Sequence, residues 1–138
     1  MSTITRISIS LEEELLDKFD AFSEEQGYPT RSEAMKTVIR EALVREEWTE
    51  GSHVAGAISM VYDHHKGDVV RKLLVAQHDF CGEILCSQHV HLDHTNCMEI
   101  IVLRGAGERI RKLLTRLRRI KGLKHITLSM STTGEHLN

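Results

Sequence analysis

Ile7, Ile9 and Leu11 alternate with Arg6, Ser8 and Ser10, so the chain opens on a short strand with one apolar and one polar face. The period then changes. Ser10 and Glu13 have the spacing of a capping box, and Leu15, Leu16, Phe19 and Phe22 recur at helical intervals, which predicts a helix running to about Gln26. Gly27 and Pro29 end it. Thr30 and Glu33 make a second capping box, before a helix whose apolar positions are Ala34, Met35, Val38, Ile39, Ala42 and Leu43. A strand and two helices in about 50 residues bury too little surface to stand alone. The lone strand also leaves both edges unpaired, so association with a second copy is expected.

The stretch Glu46 to Ser52, EEWTEGS, is polar with one Trp and one Gly, and reads as a linker. After it the apolar pattern predicts a strand over His53–Asp63, a turn at His64–Gly67 and a helix from Asp68 to about Asp79. Strands at Gly82–His91 and Cys97–Leu103 follow, then a helix over Gly107–Lys121 and a last strand at Leu123–Met130. The order βαββαβ is that of ferredoxin-like folds. The tail STTGEHLN has no pattern and is expected to be flexible. The class is therefore α+β, with boundaries at 1–47, a linker at 48–52, a second domain at 53–131 and a tail at 132–138.

No apolar run approaches the roughly 18 residues that a membrane span needs, and the N-terminus lacks the layout of an export signal. A cytoplasmic location with no membrane partner is expected. Three cysteines are an odd number for a disulfide framework and point to reduced thiols, while nine histidines raise the expectation of metal binding. The net charge of −2 hides an asymmetry. Residues 1–50 hold six Lys/Arg against twelve Asp/Glu, and the remainder twelve against eight. Any nucleic-acid contact must then rest on local geometry rather than bulk charge.

His89 and His91 stand two apart on a predicted strand, so both rings project from one face, about 7 Å apart at the backbone. Cys97 follows the turn LDHTN at the start of the next antiparallel strand, which returns its sulfur toward them. His94 sits within the turn. His78, near the end of the helix in AQHDF, is the best fourth ligand by position, although a helix-terminal histidine also interacts with the dipole. A thiolate with imidazoles suits nickel, copper or zinc, and geometry separates them. His64 and His65 offer at most a weak external site, and Cys81 and Cys86 read as ordinary thiols. The seven cations of the helix over 107–121 read chiefly as a solvated face.

The strand at Arg6–Leu11 with RSEA at Arg31–Ala34 resembles the ribbon-helix-helix family of DNA-binding proteins. With His78, HVH at His89–His91, and Cys97 followed by MEI, nearly the whole chain resembles the nickel-responsive NikR regulators. The resemblance implies an N-terminal ribbon-helix-helix DNA-binding domain followed by an ACT-like metal-binding and tetramerisation domain. It implies a homotetramer, a dimer of dimers, that binds a palindromic double-stranded DNA operator and represses nickel-uptake genes when Ni(II) is bound. One Ni(II) per subunit is implied, in a square plane of His89, His91 and Cys97 from one subunit and His78 from a partner.

Glu99, in the family's CxE arrangement, and Tyr62 are then outer groups that orient ligands. In the ribbon, Arg6, Ser8 and Ser10 face the bases, Ser10 having helix capping as its competing use. The start of the second helix, with Arg31, faces a phosphate. The family's second cation site, between the domains, matches at Glu33 but departs at Thr37, where a carboxylate is expected. Two readings from other classes stand beside this one. One is a zinc-dependent hydrolase on His89, His91 and Cys97 with Glu99 as base. The other is a metal-storage module whose N-terminal part only dimerises. A regulator answering to another ion is the nearer alternative.

Overall fold

The computed structural model describes residues 2–137 as two compact units, one built on the chain up to Leu43 and the other on Val44–His136. In the first, helices α1 (Glu13–Glu25) and the start of α2 (Arg31–Glu50) follow a segment with no helix or strand. The expected N-terminal strand therefore forms no ladder within the chain. A strand needs a second strand's amides and carbonyls, and the two helices offer no sheet edge. Its apolar positions stay open, with Ile7 77% and Ile9 56% exposed. Only Ser23 and Ala34 are buried among the described residues of this unit.

The two expected caps differ. Thr30 Oγ1 accepts the Glu33 amide at 3.1 Å, a working N-cap for α2. The Ser10–Glu13 box does not form. Helix α1 is capped at Glu12 with no side-chain bond, which leaves Ser10 two residues upstream, too far to reach the first free amides.

The second unit is a four-stranded antiparallel sheet in the order β2-β3-β1-β4, formed by β1 (His53–Asp63), β2 (Ile84–His91), β3 (Asn96–Ala106) and β4 (Leu123–Met130). With α3 (Val69–Asp79) and α4 (Gly107–Arg118) as crossovers, this is the ferredoxin-like βαββαβ arrangement that the pattern predicts. Along β1 the residues Val54, Gly56, Ile58, Met60 and Tyr62 are buried, and they alternate with half-buried ones. That face packs with Leu73 and Ala76 of α3 and Ile110, Leu113 and Leu117 of α4. Strand β2 is an edge, exposed along nearly its whole length. α4 stops at Arg118, short of the expected Lys121, as the chain turns toward Gly122 at φ +107°.

The stretch read as a linker is mostly helix. α2 continues through Glu50, and Trp48 belongs to the core, 1% exposed. Its indole donates to the Ser131 carbonyl at 2.8 Å. Gly56 and Gly107 leave room for it, since a Cβ on either would stand 3.1–3.3 Å from the ring.

Candidate metal centre

Strand register assembles the site. Directly paired residues share a face of an antiparallel sheet, and Tyr62, Cys97 and His91 form one row across β1, β3 and β2. Met60, Glu99 and His89 form the next row. Two histidines, a cysteine, a tyrosine and a carboxylate thus meet on the buried face at one corner of the sheet. Cys97 is fully buried, and its Sγ lies 3.3 Å from His91 Nδ1.

Tyr62 joins the rows. Its hydroxyl donates to Glu99 Oε1 at 3.0 Å and lies 3.2 Å from His89 Nδ1. A phenol has one proton, so with Glu99 as acceptor its oxygen accepts from His89 Nδ1–H, which assigns the lone pair of His89 to Nε2. Gln77, on α3, donates to the other oxygen of Glu99 at 2.5 Å. Burial, then the charge and hydrogen bond of Glu99, push the Tyr62 phenol well above its ordinary range. It stays a donor. Burial also pushes the Cys97 thiol up, with Asp93, Asp63 and Glu99 adding to the effect, so a metal that takes the thiolate must displace a proton.

The sequence-predicted ligands are not all together. His91 and Cys97 converge, His89 stands beside them with its ring centroid 5.2 Å from that of His91, and His78 lies exposed on the last turn of α3. In its place, His64 Nδ1 lies 3.0 Å from Cys97 Sγ. His64, His91 and Cys97 form the one group of three close donors among the described residues, within 4.8 Å of one another. From the sequence His64 is expected to be a surface turn residue, because no period runs through a turn to say which way it faces. Gln77 does carry such a signal, since it stands four residues after Leu73 and so shares the inner face of α3 with it.

In the first unit Arg6, Ser8 and Ser10 are exposed. Arg31 is held by Asp20 through two hydrogen bonds of 2.9 and 2.8 Å, which lowers the Asp20 pKa and raises that of Arg31. Glu33 pairs with Lys36 at 3.0 Å, and the Thr37 hydroxyl donates to the Glu33 carbonyl. Among the described residues no helix is long and apolar enough to cross a membrane.

Fold and site together define a chain with a cluster of sulfur and imidazole donors, a candidate metal centre, on a ferredoxin-like sheet that follows a two-helix module. Residues 55–131 match the family model "NikR C terminal nickel binding domain", and residues 5–46 match "Ribbon-helix-helix protein, copG family". A relative from Chlorobium limicola, named "Putative nickel-responsive regulator", is 50% identical over 97% of this chain and all of its own. One of the same name from Pyrococcus furiosus is 48% identical over 97% of this chain and 98% of its own. A solved structure of an uncharacterized protein from Thermotoga maritima shares its fold with part of this chain. It has a TM-score of 0.51 and 17% identity, over 56% of this chain and 95% of that one. The chain belongs to the NikR family, with a nickel-binding domain behind a ribbon-helix-helix DNA-binding domain, and it is a regulator rather than an enzyme.

Proposed function

We propose that this protein is a cytoplasmic, nickel-dependent repressor of nickel-uptake genes. The carrying observation is the row Tyr62–Cys97–His91 beside Glu99–His89, where a buried thiol and two imidazoles share one face with a hydrogen-bond network that already orients His89. This donor set fits nickel, which takes thiolate and imidazole ligands. His89, His91 and Cys97 hold one Ni(II) per subunit, and His78, exposed on α3, completes the set on a second copy. Bound nickel supplies a tie between copies.

In this reading residues 1–47 form the DNA-binding domain, 48–52 the connection and 53–131 the metal-binding and tetramerisation domain. The assembly is a dimer of dimers. The exposed Ile4, Ile7, Ile9, Leu11, Leu15 and Leu43 favour burial of the first unit against its second copy. The paired ribbon carries Arg6, Ser8 and Ser10 into the major groove of a palindromic operator, with Arg31 near the backbone once it exchanges Asp20 for phosphate. The segment His78–Ile84 joins α3 to the edge strand β2. Fixing His78 against another copy orders that segment, and a coupling of a few kcal/mol changes operator affinity by orders of magnitude.

Fluorescence anisotropy on a palindrome upstream of a nickel transporter, with and without Ni(II) at fixed salt, tests this. Tightening with nickel that His89→Ala removes is expected. Equal affinity in both arms sinks the proposal.

A further inference from the structure

Seven cations crowd the chain from Gly107 to Lys121, and neither the metal centre nor the ribbon uses them. The structure sorts them. Arg109 is engaged by Glu83 at 2.9 Å and lies over the Phe80 ring, while Arg116 pairs with Asp79 and Lys112 with Glu108 at 3.4 Å. Arg111 and Arg119 form no ion pair among the described residues. Both line one groove of about 680 Å³ that runs between α4 and the end of α2, within the second unit. We infer that this groove is a binding site for a small polyanion, a chain of two or three phosphate groups, gripped by Arg111 and Arg119 with Lys112, Thr115 and Arg116 between them.

Shape, charge and spacing carry this. The volume falls in the range of about 300–1,000 Å³ typical of small-molecule sites. One wall is α4 and the other is the turn Trp48–Gly51, and such a concave lining suits a compact ligand better than the backbone of a duplex. Four cations line it against Glu50 and Glu108, in a chain whose net charge is −2. Its positive sign is therefore local. The helix dipole accounts for cations in the last turn of α4, Arg116 and Arg118. It does not account for Arg111 and Lys112, more than a turn earlier. These positions share a face with Thr115 and Arg119, opposite the packed Ile110, Leu113, Leu114 and Leu117.

The spacing selects the ligand. Arg111 and Arg119 stand eight residues apart, about 12 Å along the helix axis. A single phosphate would have to draw both side chains inward, whereas a di- or triphosphate meets each in turn, with the Thr115 hydroxyl and the Lys112 ammonium between. Each guanidinium can hold two phosphate oxygens in parallel.

The test titrates inorganic tripolyphosphate into the full chain in metal-free buffer at fixed ionic strength. Binding is read by calorimetry and by the emission of Trp48, the one tryptophan of the chain, which lines the groove. Saturable binding with a change in emission is expected. Arg111→Gln and Arg119→Gln are each expected to weaken it by at least about 10-fold, the loss of a charged hydrogen bond. Arg118→Gln removes the same charge from the same helix outside the groove, and is expected to match wild type. Unchanged circular dichroism and nickel stoichiometry show that the variants are folded. A nucleoside triphosphate in place of tripolyphosphate distinguishes the sources. Tighter binding adds a contact to the nucleoside, equal or weaker binding leaves the inorganic chain as the ligand, and both uphold the site. Absence of saturable binding overturns the inference, as does equal weakening by all three substitutions, the mark of diffuse charge. If tripolyphosphate fails to bind while the Arg111 and Arg119 variants lose affinity for a random duplex, the face contacts nucleic acid instead and the inference fails.

Discussion

Tyr62 has one hydroxyl proton, Glu99 accepts a hydrogen bond from it, and the orientation of His89 follows from that donation. Removing the hydroxyl keeps the buried ring but releases both partners. Tyr62→Phe is expected to weaken nickel binding by about 10- to 100-fold with the fold intact, read by competition against a chelator alongside circular dichroism. Unchanged affinity removes Tyr62 from the site. A second residue, Asp93, sets the acid limit of the neighbouring turn. The side chain of Asn96, then the amides of Asn96 and Thr95, hold its carboxyl down at about 2. An unfolded Asp titrates near 3.9, so the folded state gains from the ionised form above that pH and loses the gain as pH falls toward 2. The urea midpoints of wild type and Asp93→Ala should differ by a constant amount above about pH 5 and draw together near pH 2. A gap that does not narrow on acidification refutes this role.

At the scale of elements, the end of α2 is the test of what sequence pattern can carry. Trp48 rests against Gly56 and Gly107 and donates to Ser131, 83 residues away. Trp48→Ala is expected to cost about 3–5 kcal/mol. Gly56→Ala, whose Cβ would stand 2.8 Å from the Ser129 carbonyl, should cost about 1–3 kcal/mol. Chemical denaturation measures both, and a neutral Gly56→Ala would show that the Ser129 carbonyl and the indole can both give way. None of this was legible locally, because EEWTEGS is polar in composition and only a distant sheet makes its Trp a core residue. The strands and helices of the second unit were legible, since periods of 2 and 3.6 report which face is buried, and β1 and β4 begin and end where expected. The site was legible in part for the same reason: alternation put His89 and His91 on one face. The register that delivers Tyr62 and Cys97 beside them, and the turn that brings in His64, are tertiary facts with no local signature.

For the whole molecule, the asymmetry between the units decides what a disruption should do. The second unit encloses a core of sixteen buried residues, whereas the first leaves Ile4 91% and Ile7 77% exposed. A charge at Ile7 therefore has nothing to unfold in the metal-binding unit but adds repulsion wherever two N-terminal segments pair. Ile7→Glu is expected to bind nickel with the wild-type spectrum and stoichiometry, and to keep the wild-type mass by light scattering. Its operator affinity should fall toward the nonspecific level, roughly a thousandfold or more. The same experiment separates the classes of function. A metal-storage module whose first unit only dimerises has no operator preference to lose, in wild type or variant. Selective binding that survives Ile7→Glu would show instead that the ribbon is not what reads DNA.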